Sequence, residues 1–203
     1  MKKIVYTQRV EVIEGYGERR DCADQKIAKF IYACGFLPIP IVNIPDIVLT
    51  FVDDVMPDGI LFSGGNDLAA YGGDAPERDE TERILLECAV QKHIPLFGIC
   101  RGMQMIADYY GMKLEKINAH IGCLHQIGGL ISRDAVNSYH GWGIKEIASP
   151  LVAVSKSMDG IVEALKHDRH RIAAIMWHPE RELVFSNDDI KLIADFFNRG
   201  AFA

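Results

Sequence analysis

The 203-residue sequence has no apolar run long enough to cross a bilayer: the longest, such as residues 34–42, fall well short of the ~18 residues such a helix needs. The first ten residues, MKKIVYTQRV, lead into a polar, arginine-bearing stretch where a secretory leader would carry its apolar core. A cytoplasmic protein with no membrane partner is therefore expected. Positive charge is also short, with 22 Lys and Arg against 28 Asp and Glu and a formal net charge of −6. No bulk field is left to gather nucleic acid, so any anionic ligand must be held by local groups. The cysteines Cys22, Cys34, Cys88, Cys100 and Cys123 are odd in number and include no C-x-x-C pair, which argues against a disulfide framework and against a zinc site. The histidines likewise lack ligand spacing, and neither a metal nor an organic cofactor is expected. Internal repeats, low-complexity tracts, linkers and a Walker sequence are absent too.

What is present has globular proportions, 49% hydrophobic and 25% charged. A chain of this length hides roughly 70% of its extended surface on folding, enough for a core without covalent staples. One domain over 1–203 is expected. In the first half, apolar runs at 3–7, 36–42, 59–62 and 95–99 alternate with helical spacing around 24–32, 48–55, 81–92 and 102–110. This order predicts a mostly parallel sheet with helices on both faces. From 112 to 178 the pattern shifts to short runs at 127–132, 143–147, 151–155, 161–165 and 172–177, separated by Gly, Asn, Asp and Ser, which reads as an antiparallel insertion. A closing helix is expected over 188–198.

The chemistry concentrates at Gly98-Ile99-Cys100-Arg101-Gly102. A polar residue stands where a buried strand meets a helix, with glycines two positions to either side. That is the pattern of a nucleophile elbow, a turn too crowded for side chains at the flanks. Amides at the helix start favour thiolate over thiol. Taken alone, the segment also fits an ordinary buried cysteine. A thiolate nucleophile needs a base and a group to orient it. Trp177-His178-Pro179-Glu180 supplies both at the end of an apolar strand: His178 as base and Glu180 accepting from its second ring nitrogen. Ser63-Gly64-Gly65-Asn66-Asp67 closes another strand, where the Gly65 amide, with that of Arg101, can form an oxyanion hole.

Together with Asn137-Ser138-Tyr139-His140 and Gln104, these motifs occur in the order found in the class I glutamine amidotransferases, and the chain resembles that family over essentially its whole length. The resemblance implies a flavodoxin-like α/β sandwich and a Cys-His-Glu triad of Cys100, His178 and Glu180. It also implies a glutamyl pocket lined by Gln104, Ser138, Tyr139 and His140. Gly64-Gly65-Asn66-Asp67, Tyr71-Gly72, Arg78-Asp79 and Glu82 look like the γ-glutamyl hydrolase branch, most specifically the γ-glutamyl-CDP-amidate hydrolases of bacterial capsule phosphoramidate synthesis. That branch works without an obligatory synthetase partner. It cleaves a small-molecule γ-glutamyl amide through a γ-glutamyl thioester and releases glutamate and an amine or phosphoramidate. One departure stands out: where the family often continues with His and Gln, Gly141 and Trp142 follow His140.

For a nucleotide-linked leaving group, Tyr16, Arg19 and Arg20 after the first strand offer a base stack and a pyrophosphate clasp. Two rival readings are a glutaminase subunit that feeds ammonia to a synthetase and a non-catalytic binding protein on the same fold. The first predicts little activity alone. The second usually follows loss of a triad residue, and Cys100, His178 and Glu180 are all present.

Overall fold

The computed structural model describes residues 1–202. In chain order it forms β1 (Lys3–Tyr6), β2 (Arg9–Ile13), β3 (Glu18–Cys22), α1 (Gln25–Ala33), β4 (Leu37–Pro40), α2 (Val48–Val55), β5 (Gly59–Phe62), α3 (Pro76–Lys92), β6 (Leu96–Ile99), α4 (Arg101–Tyr109), β7 (Glu115–Lys116), β8 (Ile121–Gly129), β9 (Arg133–Tyr139), β10 (Trp142–Gly143), β11 (Leu151–Ser157), β12 (Val162–His167), β13 (Ile172–Ile175) and α5 (Asn187–Arg199). Nine strands make one sheet in the order β4-β1-β5-β6-β13-β12-β11-β8-β9. The first five are parallel and the last four continue antiparallel, so the predicted insertion extends the main sheet.

The parallel strands read as unbroken apolar runs because both faces are covered. In β6, Phe97 meets Phe196, Phe197 and Phe202 at and beyond α5, while the next residue, Gly98, faces the backbone of α4. Each fully buried phenylalanine contributes of order 1.5–3 kcal/mol. Helix α1 begins at Asp24, whose carboxylate accepts from the Lys26 amide at 2.9 Å, and buries Ile27, Phe30 and Ile31.

Three parts depart from the sequence reading. Residues 9–22 form a β-hairpin, β2–β3, that pairs outside the main sheet. Second, the run expected at 127–132 covers only the end of β8, which begins at Ile121, and the turn after it, and the polar sequence RDAVNSY forms β9. The stretch expected as a strand over 143–147 contributes only the two residues of β10. Among the described residues, no helix is long and apolar enough to span a membrane.

Candidate active site

Strands β5, β6 and β13 are parallel neighbours, so their carboxyl ends share one edge of the sheet. Ser63 follows β5, Cys100 follows β6, and His178 lies just beyond β13. Ligands of open α/β sheets gather at this edge. Cys100 has φ +52°, a conformation that costs a residue other than glycine about 1–3 kcal/mol and persists only where surroundings impose it. Its amide donates to the Ile175 carbonyl at 2.8 Å, and its own carbonyl accepts from the Gln104 amide at 3.1 Å. A Cβ on Gly98 would lie 2.7 Å from the Gly102 carbonyl carbon, and one on Gly102 would lie 2.3 Å from the Phe62 carbonyl oxygen. Both flanks therefore admit only glycine, as the elbow requires.

His178 is fixed at every polar point but one. The Asn137 carboxamide brackets its peptide groups, accepting from the His178 amide and donating to the His178 carbonyl, each at 2.8 Å. Its Nδ1 meets Glu180 Oε1 at 2.6 Å, while Nε2 is buried without a partner among the described residues. A Cβ on Gly64 would sit 2.8 Å from His178 Cε1 and 3.8 Å from Cys100 Cβ, so the ring and the cysteine meet across this glycine. Burial pulls the imidazole's proton affinity down, but the adjoining Cys100 sulfur and Glu180 carboxylate prevail and push its pKa up to about 10. The arrangement can hold an imidazolium beside a thiolate and supply its proton to a leaving group.

The amides of Gly65 and Arg101 find no acceptor among the described residues and are available to a developing oxyanion. Gly65 has φ +86°, a conformation suited to glycine. A buried charge network holds this turn. Arg78 donates to the carbonyls of Gly65 at 2.6 Å, Ser63 at 2.8 Å and Gly64 at 3.1 Å, and pairs with Glu82 at 3.1 Å. The Arg101 side chain bridges Glu82 and Asp79, so its guanidinium anchors α4 to α3. Burial, followed by the neighbouring Arg101 charge, lowers Arg78 to about 10, still well above neutrality. Sequence reasoning noted Arg78, Asp79, Glu82 and Asn137 as motif members and missed these supporting contacts. The i,i+4 spacing of Arg78 and Glu82 on α3 was the available signal.

A cavity of about 310 Å³ opens over Cys100 and His178, with Gln104, Tyr139, His140 and Arg181 in its wall. Gln104 Nε2 donates to the Trp142 carbonyl at 3.1 Å, and His140 Nδ1 meets the same oxygen at 3.0 Å. The polar contact at 142 thus comes from the backbone. The Ser138 hydroxyl turns away to the His120 carbonyl at 2.6 Å, so Ser138 braces this wall and does not line it. Tyr139 packs edge-on to His178 with ring centroids 5.7 Å apart and carries the Arg181 guanidinium 4.5 Å above its ring.

The expected clasp of Tyr16, Arg19 and Arg20 is not brought to the cleft. Adjacent residues of a strand point to opposite faces, so Arg19 and Arg20 cannot close on one pyrophosphate. Arg19 pairs with Glu77 and donates to the Asp74 carbonyl at 2.8 Å, Arg20 pairs with Glu18 at 2.6 Å, and Tyr16 stands 68% exposed at the hairpin turn. Arg9 on the facing strand reaches the site instead. With Arg181 and Glu180 it lines a second cavity, of about 380 Å³, on the other side of Gly65.

The family described as Glutamine amidotransferase class-I matches residues 21–199. The chain belongs to this family. It is 32% identical to a gamma-glutamyl-CDP-amidate hydrolase of Campylobacter jejuni over 95% of this chain and 96% of the other. It is also 28% identical to a gamma-glutamyl-gamma-aminobutyrate hydrolase of Escherichia coli O157:H7, over 81% and 80% of the two chains. Among solved structures, a Thermoplasma acidophilum protein provisionally assigned to GMP synthase superposes with TM-score 0.72 at 20% identity, covering 97% of this amidotransferase chain and 92% of its own.

Proposed function

We propose that this class I glutamine amidotransferase is a free-standing hydrolase of γ-glutamyl amides, with Cys100 as nucleophile, His178 as acid and base, and Glu180 as the group that orients His178. The observation that carries this reading is the state of His178, tied to Glu180 at 2.6 Å through Nδ1 and left with an unpartnered Nε2 on a ring that lines one cavity with Cys100. The Cys100 thiolate attacks the γ-carbonyl, the Gly65 and Arg101 amides take the oxyanion, and His178 gives its proton to the departing nitrogen. Water then loses a proton to His178 and cleaves the thioester, returning glutamate and the thiolate. Gln104 and Tyr139 receive the glutamyl group, with His140 in the same wall.

The substrate we favour is γ-glutamyl-CDP-amidate, giving glutamate and cytidine diphosphoramidate. Likeness to the Campylobacter hydrolase along nearly the whole chain supports it. So does the cavity beside Gly65, where Arg9 and Arg181 offer charge-assisted donors to phosphate. The Arg9 pair with Glu11 is exposed on both sides and weak enough to exchange for a ligand. Purified protein should be given γ-glutamyl-CDP-amidate, γ-glutamyl-γ-aminobutyrate and glutamine in parallel, with glutamate followed enzymatically and phosphoramidate by ³¹P NMR. Preference for the nucleotide amide by roughly 100-fold or more in kcat/KM is expected, equivalent to about 2.7 kcal/mol. Equal turnover of all three would remove the nucleotide assignment. No glutamate from any of them would remove the hydrolase reading itself.

A further inference from the structure

Behind the wall of the cleft, three histidines surround one carboxylate in a way hydrogen bonding does not account for. Glu163, on β12, is completely buried, yet neither of its oxygens has a hydrogen-bond partner among the described residues. His120 Nδ1 and His125 Nε2 each stand 3.5 Å from its Oε1, and His140 Nε2 stands 3.6 Å from it. All three nitrogens are likewise buried and unpartnered.

The tautomers sharpen the problem. His140 Nδ1 faces a backbone carbonyl, Trp142 O, at 3.0 Å, an acceptor only, so Nδ1 carries a proton and a neutral ring keeps its lone pair at Nε2. His120 Nε2 faces Asp159 Oδ2 at 3.0 Å. With Nε2 donating to that oxygen, a neutral His120 ring likewise keeps a lone pair at Nδ1. Two neutral imidazoles would thus set lone pairs against carboxylate oxygen inside the protein, acceptor against acceptor, a conflict that a cation between them removes. Contacts of 3.5–3.6 Å are long for hydrogen bonds. They approach the edge of about 3.3–3.4 Å between neighbouring ligand atoms around tetrahedral zinc with bonds near 2.0–2.1 Å. The outer contacts, His120 to Asp159 and His140 to a main-chain oxygen, are those that orient metal-bound imidazoles.

We propose that His120 Nδ1, His125 Nε2 and Glu163 hold a divalent transition ion, zinc foremost, with His140 or a water facing it at the fourth position. The ligand atoms of the first three residues lie within 4.8 Å of one another. The sequence expectation of no metal rested on ligand spacing along the chain, and here the ligands come from β8, the turn before it and β12. The ion has a structural consequence. The His120 carbonyl accepts from the Ser138 hydroxyl at 2.6 Å and from the His140 amide at 3.1 Å, so the metal ties the segment that walls the cleft to β12.

Metal content tests this independently of any enzymatic activity. The full chain, loaded with zinc and dialysed against metal-free buffer, should retain about one equivalent by inductively coupled plasma mass spectrometry. His125→Ala and Glu163→Gln should each fall at least tenfold below that, with folding checked by circular dichroism. Cys100→Ala should keep the full equivalent, which separates this site from adventitious binding at the Cys100–His178 pair. Because the Glu163 variant removes a buried group, cobalt(II) in the unmodified protein gives a second readout: tetrahedral visible bands without a thiolate charge-transfer band. Zinc content below a tenth of an equivalent in the unmodified protein would overturn the proposal. So would zinc that survives His125→Ala but is lost with Cys100→Ala, or a cobalt spectrum carrying the thiolate band.

Discussion

Gly64→Ala should separate catalysis from stability. Gly64 lies outside the left-handed region, so alanine meets no backbone penalty there. Its methyl would sit 2.8 Å from His178 Cε1, against an ordinary carbon–carbon contact of about 3.5–4.0 Å, a shortfall of roughly 0.7–1.2 Å. The ring has no easy retreat, because Nδ1 is bound to Glu180 at 2.6 Å and the His178 peptide groups are bracketed by Asn137. The strain should lower unfolding free energy by about 1–3 kcal/mol, the usual cost of an added methylene in a packed site. Displacing the imidazole by about 1 Å from the sulfur should cost about 100-fold in kcat/KM. The assay is glutamate release from a γ-glutamyl amide beside urea denaturation. Gly128→Ala serves as the control, since its methyl would meet nothing within 4 Å. A folded Gly64→Ala protein within threefold of the original kcat/KM would refute the placement of His178 against Cys100.

Cys100→Ser should abolish turnover, and Cys100→Gly, also inactive, should unfold at higher urea than Cys100→Ala by about 1 kcal/mol, because glycine relieves the φ of +52°. In a pH profile, the raised affinity of His178 keeps its proton through neutrality, so kcat/KM should fall only as pH rises through about 10, and Glu180→Gln should move that limb to lower pH. Glu82→Gln strips a full charge from between Arg78 and Arg101 and should lower unfolding free energy by about 3–5 kcal/mol in denaturant titrations. Arg9→Ala and Arg181→Ala should each cost about 10-fold in kcat/KM on a nucleotide-linked amide and little on glutamine, a ratio that an effect on stability would leave unchanged.

How much of this was legible along the chain follows from what each residue packs against. Strands β5 and β6 could be read because both faces are buried, which leaves apolar runs bounded by glycine turns. The elbow could be read because its steric demand is local: the flanks at Gly98 and Gly102 are set by backbone within four residues and by the adjoining strand. The hairpin β2–β3 gave no such pattern, since β3 is exposed at Glu18, Arg19, Arg20 and Asp21, and exposed charges read as loop. Strand β9 failed for the opposite reason. Its polar residues are spent on the site, with Asn137 clamping His178 and Ser138 bracing His120, and that use breaks the hydrophobic period by which strands are recognised. The same logic explains why Glu163 passed unnoticed within β12, VEALKH: a single acid in a short apolar strand looks like a solvent-facing position. Only the sheet order, which sets β12 beside β13 and the β8–β9 pair beyond β11, turns its carboxylate inward to meet three histidines. Chemistry built from one turn is written in neighbouring residues. Chemistry built across a sheet depends on strand order, which no local spacing records.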